Sequence, residues 1–261
     1  MTATSPTTRF VELAGRKVQW TQGGSGPDLI YLHSAGGETE WTSFHDRLAR
    51  HFTVHVPAHP GFALSTGLES IRDIQDMAWH YVDLFEAMGW QQVPVVGFSL
   101  GGWLTLEIAI LRPQLIRKAL LVAPAGVRVP QWPYAELFID DLNALRRLVF
   151  HDPDHPSVPH ALPTSLDDPR MLNWLRAREA TARVGWNPYL HNPKLPDHLH
   201  RIPFPVQIVW GDDDRLIPPR YAQWLAERIP QAETTILPQC GHMVPYERED
   251  DFCRLVTSFC Q

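Results

Sequence analysis

Short apolar runs alternate with longer amphipathic stretches through most of this 261-residue chain, and this alternation restricts the fold more than any other feature. Residues 28–33 (DLIYLH), 52–56, 93–98 and 119–123 are each brief apolar runs, several bounded by turn formers. That is the length and composition of strands buried on both faces. Between them, residues 40–50 place Trp41, Phe44 and Leu48 on one helical face. Residues 71–88 carry Ile74, Met77, Ala78, Tyr81, Leu84 and Phe85 at helical spacing, with Gly89 as the stop. Residues 100–111 form a third helical stretch, ended by Pro113. Such an order predicts an α/β fold, with a mostly parallel central sheet and helices on both faces. Residues 10–22 alternate enough to add an antiparallel hairpin at the start, closed off by the glycine-rich run 23–27.

The pattern breaks between residues 127 and 200, where ten prolines punctuate the chain and no buried strand is legible. Two helices are predicted there, over 134–150 and 168–184. The alternation then resumes with a strand at 206–210, a helix at 221–229, a strand at 233–237 and a helix at 249–259. The expected organisation is a core of residues 1–126 and 201–261 interrupted by a helical cap at 127–200. An insertion just before the last two strands is placed to lie as a lid over the carboxyl edge of the sheet, where open α/β sheets bind ligands.

Composition narrows the class of function. An apolar fraction of 44% supplies a large core, and a net charge of −6 gives no reason to expect nucleic acid or an anionic membrane as partner. The first nine residues are polar, without the basic and apolar regions of a secretory signal, and no run of about 18 apolar residues exists to span a membrane. The expected location is the cytoplasm. Cys240, Cys253 and Cys260 are too few, and odd in number, for a disulfide framework, so buried free thiols are expected. The stretch His151-Asp152-Pro153-Asp154-His155 sits in a proline-rich region and reads as polar surface. No metal or organic cofactor is expected, and the oligomeric state, monomer or homodimer, is left open.

Candidate chemistry begins at Gly97-Phe98-Ser99-Leu100-Gly101, a G-x-S-x-G string. By composition such a string arises by chance in roughly one chain in ten of this size, so its setting carries the argument. It follows the apolar run 93–96 and opens a helix, the strand–turn–helix that a nucleophile elbow needs. A serine there must adopt a strained backbone to expose its hydroxyl, and Gly97, Gly101 and Gly102 keep the surroundings small. A serine hydroxyl needs a base to take its proton. Among 13 histidines, His242 stands out because Gly241 precedes it and because it lies between the last strand and the last helix. The base in turn needs a carboxylate, and Asp212, Asp213 or Asp214 at the end of the penultimate strand could serve, with at most one or two pointing inward. An oxyanion hole needs two backbone N–H groups. Leu100 gives one, and the small residues of the 33–37 loop are placed to give the other.

These motifs resemble those of the α/β-hydrolase superfamily across nearly the whole chain. Gly211-Asp212-Asp213-Asp214 is similar to its Gly-x-x-Asp, which selects Asp214, and Gly241-His242 to its Gly-His before the last helix. The resemblance implies a Ser99, Asp214, His242 triad with an oxyanion hole from Ala35 and Leu100. The sequence departs from the family in having His33-Ser34 for a His-Gly pair. In the 58–65 loop, the usual aspartate and second glycine are replaced by Ala58 and Ala63. The resemblance implies a carboxylic ester, thioester or lactone hydrolase acting on a small, largely apolar substrate. The alternatives are a carbon–carbon bond hydrolase of the meta-cleavage-product type and a low-turnover ligand receptor on the same fold. Met243 after the candidate base, where such carbon–carbon hydrolases often have Trp, argues mildly against the second reading. Arg176, Arg178 and Arg183 are candidate anion holders for it, though exposed surface arginines are the simpler reading. The expected pocket residues are Ser34, Phe98 and Met243 beside the triad, with Trp132, Phe138, Trp174 and Trp186 from the cap.

Overall fold

The computed structural model describes residues 5–261; Met1 to Thr4, the start of the polar N-terminal stretch, lie outside the described residues. Eight strands form one sheet: β1 (Thr7–Leu13), β2 (Arg16–Gly23), β3 (Asp28–Leu32), β4 (Thr53–Pro57), β5 (Val93–Phe98), β6 (Ile116–Val122), β7 (Val206–Gly211) and β8 (Ala232–Leu237). Their order is β1-β2-β4-β3-β5-β6-β7-β8. The β1–β2 and β2–β4 pairings are antiparallel and the rest are parallel. The helices are α1 (Ser43–Leu48), α2 (Ile74–Ala87), α3 (Leu100–Leu111), α4 (Leu142–Val149), α5 (Val158–Ala161), α6 (Met171–Gly185), α7 (Tyr221–Ala226), α8 (Val244–Glu247) and α9 (Glu249–Cys260).

The strands that read as unbroken apolar runs are the central ones. All six residues of β5 are buried, as are four of five in β3, because helices cover both faces. Strand order reverses between β3 and β5: β3 continues to β4 on one side, while β5 continues to β6 on the other. A crevice opens outside the carboxyl ends of strands at such a reversal. The two loops that meet there are the 33–37 loop after β3 and the turn at Ser99 after β5.

The expected helix over 134–150 is shorter than its pattern suggested. Only Leu142–Val149 is helical, capped by the Asp141 carboxylate, which accepts from Asn143 N–H at 2.8 Å. Upstream, tertiary bonds take the backbone groups a helix would have used: Ala135 N–H donates to the Leu216 carbonyl at 2.9 Å and Leu137 N–H to the Tyr189 hydroxyl at 2.6 Å. The second helix of this segment, α6, starts at Met171 and turns Trp174, Ala177 and Thr181 inward at helical spacing. No helix among the described residues is long and apolar enough to cross a membrane. Cys240, Cys253 and Cys260 are buried free thiols.

Candidate active site

Ser99 sits at φ 52°, ψ −108°, a conformation costly for any residue with a Cβ. Its surroundings hold it there. Ser99 N–H donates to the Val122 carbonyl on β6 at 2.8 Å, and Trp103 N–H donates to the Ser99 carbonyl at 3.0 Å. The flanking glycines are steric necessities: a Cβ on Gly101 would lie 1.9 Å from the Leu32 carbonyl oxygen, and one on Gly97 would lie 2.4 Å from Thr105 Oγ1. The elbow is therefore pressed against the end of β3, which brings the Ser99 hydroxyl to the 33–37 loop.

The Ser99 Oγ lies 2.9 Å from His242 Nε2, and His242 Nδ1 lies 2.7 Å from Asp214 Oδ2. All three residues are buried. Asp214 accepts four hydrogen bonds. Leu216 and Ile217 N–H each donate to Oδ1 at 2.9 Å, and Trp210 Nε1–H donates to Oδ2 at 2.8 Å beside the imidazole. A carboxylate so surrounded stays an acceptor, so His242 Nδ1 carries the proton and Nε2 is left to accept from the serine hydroxyl. The neighbouring aspartates point elsewhere: Asp212 is exposed, and Asp213 pairs with Arg215 and with His151.

The loop carrying His242 is fixed by contacts that the sequence did not disclose. His242 N–H donates to the Val149 carbonyl at the end of α4, at 2.8 Å. Glu247 accepts from Gly241 N–H at 2.8 Å and from His151 N–H at 2.7 Å, tying both loops to one carboxylate. Neither Trp210 nor Glu247 was among the expected site residues.

A narrow pocket opens at Ser99 and His242. Its floor is the loop residues Ser34, Ala35, Gly36 and Glu38. Leu137, Phe138, Leu145, Val149 and Trp174, from the segment between β6 and β7, form much of its wall, with Leu216 and Met243 from the core. Among the described residues, the N–H groups of Ala35 and Leu100 donate to no protein acceptor. Leu100 is the first residue of α3, where a helix leaves its N–H groups free. Of the expected pocket residues, Ser34, Phe138, Trp174 and Met243 line it and three do not. Phe98 is fully buried with its ring 5.5 Å from that of His242, packed alongside the base because strand alternation turns it into the sheet core. Trp132 packs edge-on to Tyr221 at 5.7 Å, under Arg220. Trp186 is 62% exposed and leans on Phe138 from outside, at 5.3 Å.

Two charged residues stand in the pocket wall: Glu38, which was not among the expected site residues, and Arg178, one of the three candidate anion holders. Glu38 is buried, and desolvation raises its pKa against the opposing hydrogen bond from Ser34. Arg178 on α6 lies over Trp174 at 4.5 Å and donates to the Leu137 and Ile139 carbonyls. Burial lowers its pKa somewhat, and it has no salt-bridge partner among the described residues. Of the three arginines offered by the sequence as anion holders, Arg178 lines the pocket, whereas Arg176 and Arg183 do not. Among the described residues no group of three or more His, Cys, Asp or Glu is placed to hold a metal ion. Of the His-rich stretch, His151 bonds Asp213 and His155 bonds Ser157.

Residues 29–255 match the alpha/beta hydrolase family. The chain belongs to that family. Among similar proteins, a 2-hydroxy-6-oxo-6-(2'-aminophenyl)hexa-2,4-dienoic acid hydrolase of Metapseudomonas resinovorans is 27% identical, over 96% of this chain and 90% of that protein. A pimeloyl-[acyl-carrier protein] methyl ester esterase of Nitrosomonas europaea is also 27% identical, over 84% of this chain and 90% of its own. A solved serine hydrolase involved in carbazole degradation shares the fold with a TM-score of 0.81 at 23% identity, over 98% of each chain. These relatives cleave different bonds, so membership makes this chain a hydrolase of this fold without choosing between ester and carbon–carbon cleavage.

Proposed function

We propose that this hydrolase cleaves a carboxylic ester, thioester or lactone of a small, largely apolar substrate through an acyl-enzyme on Ser99. The observation that carries the reading is the continuous hydrogen-bonded chain from Asp214 through His242 to Ser99, ending in a pocket with mostly apolar walls. As His242 Nε2 takes the hydroxyl proton, Ser99 Oγ attacks the acyl carbon, and the Asp214 carboxylate stabilises the imidazolium. The free N–H groups of Ala35 and Leu100 receive the oxyanion. His242 then protonates the leaving group, and water repeats the sequence to release the acid. Residues 127–200 act as the lid that closes the acyl group away from water, and no cofactor takes part.

A second reading, carbon–carbon cleavage of a dienoic ring-fission product, is favoured by Arg178 in the pocket wall, a cation without an ion-pair partner among the described residues. The hydrolase names of several relatives favour it too. The deciding experiment is intact-mass labelling with a fluorophosphonate on wild type and Ser99→Ala, followed by turnover of short-chain esters against a 2-hydroxy-6-oxo dienoate. A Ser99-dependent adduct with ester turnover supports the first reading. An adduct with dienoate turnover alone selects the second. No adduct and no turnover would sink both and turn the search to ligands bound without reaction.

A further inference from the structure

The carboxyl of Glu38 stands in the wall of the pocket that Ser99 and His242 share, yet the reaction sequence above gives it no part. It is 7% exposed, and both its oxygens lie within hydrogen-bonding distance of Ser34 Oγ, at 2.8 and 2.7 Å. The same hydroxyl accepts from Gly36 N–H at 3.0 Å, while Gly37 N–H donates to the Ser34 carbonyl at 3.3 Å. One carboxyl, one hydroxyl and two amides thus close residues 34–38 into a single turn, with Ala35 inside it. The turn is full: a Cβ on Gly36 would lie 2.1 Å from Glu38 Oε1. It is also tethered at its start, by His33 Nδ1 at 2.8 Å from the Ser34 carbonyl and by Thr181 Oγ1 of α6, which donates to the Ala35 carbonyl at 3.4 Å.

Burying a carboxyl costs free energy that an apolar side chain of similar size would not cost. What the carboxyl adds here is directional: it fixes the Ser34 hydroxyl, and that hydroxyl fixes the loop. Oxyanion donors are effective only when aligned before the charge develops. We propose that Glu38 is a positioning residue which, through the Ser34 hydroxyl, holds the 34–37 loop so that the Ala35 N–H meets the oxyanion formed when Ser99 attacks. The proposal rests on the serine-hydrolase reading. Ground-state binding of the acyl group falls to the apolar walls and does not depend on this clamp, so its loss shows in kcat and not in KM.

The test compares wild type with Glu38→Ala, Glu38→Gln and Ser34→Ala. It reads short-chain p-nitrophenyl ester kinetics, the rate of fluorophosphonate labelling and the thermal midpoint. Glu38→Ala is expected to lower kcat and the labelling rate by about 30–100-fold, with KM within about 3-fold. In Glu38→Gln the amide oxygen still accepts the Ser34 hydroxyl, and most of the rate returns, to within about 5-fold of wild type. Ser34→Ala falls with Glu38→Ala, because the carboxyl acts through that hydroxyl, and it carries the test if Glu38→Ala does not fold. A Glu38→Gln variant as slow as Glu38→Ala would assign the effect to charge and overturn the proposal. So would an unimpaired Ser34→Ala, or a loss confined to KM. A wild type that neither labels nor turns over would overturn the hydrolase reading and this proposal together. A labelled wild type with an equally fast Glu38→Ala would overturn this proposal alone.

Discussion

The loops at the sheet's carboxyl edge and the segment that faces them, residues 127–200, hold their shapes by different means. Ser99, Asp214 and His242 project from turns at the ends of β5, β7 and β8, whose backbones are committed to the sheet's parallel ladder. The facing segment has no strand pairing beyond one isolated bridge, between Gly126 and His191. Side chains serve its backbone instead. Tyr134 donates to the Val127 carbonyl, Tyr189 to Ala135 at 2.9 Å, and Arg178 to Leu137 and Ile139. In the first region the backbone sets where the reacting atoms stand. In the second, individual tyrosines and an arginine set where the walls stand. The contrast teaches that substitutions in the two regions should fail differently: the edge loses rate, and the facing segment loses selectivity.

The largest effect expected is at the reacting atoms. Ser99→Ala or His242→Ala should lower kcat on a short ester by about 10⁵-fold or more, with no fall in thermal midpoint. A residual rate within tenfold of wild type would break the assignment of chemistry to the edge. Asp214→Asn should cost about 10⁴-fold by fixing the wrong imidazole tautomer. Asp212→Asn and Asp213→Asn, which touch neither His242 nor Ser99, should stay within a few-fold in the same assay. The reverse pattern would move the acid to another residue.

Acid sharpens the comparison through stability. His33, His45 and His80 are buried in the core region with pKa values lowered by desolvation to about 4, 3 and 4, and His59 is lowered well below its ordinary value by the same cause. Each is neutral when folded and takes a proton near pH 6.5 when unfolded. Between pH 6.5 and about 4 the unfolded chain therefore binds more protons. Stability is full above pH 6.5 and falls as the pH drops through that window. Denaturant midpoints at pH 7.5 and 4.5 check this. Equal midpoints would mean that the core histidines are already charged in the folded state.

The smallest effect separates two tryptophans of the facing segment. Trp174→Ala opens the pocket wall and should lower kcat/KM by about 10-fold, mainly through KM and most strongly for bulky acyl groups. Trp186→Ala lies outside and should stay within about 2-fold. Equal effects, measured across an ester series, would show that the wall runs through Trp186 after all.

The sequence by itself determined the sheet, the elbow and the candidate triad, because each rests on a local rule. Five or six apolar residues in a row make a strand buried on both faces, glycine on either side of Ser99 admits its strained backbone, and the resemblance to the family's Gly-x-x-Asp pattern singles out Asp214. It also exposed the break in pattern at 127–200. Only the tertiary structure decided what that segment does with its residues. Phe138 and Trp174 face the pocket while Trp132 and Trp186 do not, because where an aromatic side chain points depends on what its helix or loop packs against. The helix expected from residue 134 begins at Leu142 because Leu216 and Tyr189, distant in sequence, bind the backbone that would have started it. Glu38 and Glu247 were ordinary acids in the sequence. Their roles come from hydrogen bonds whose partners the fold alone brings within reach.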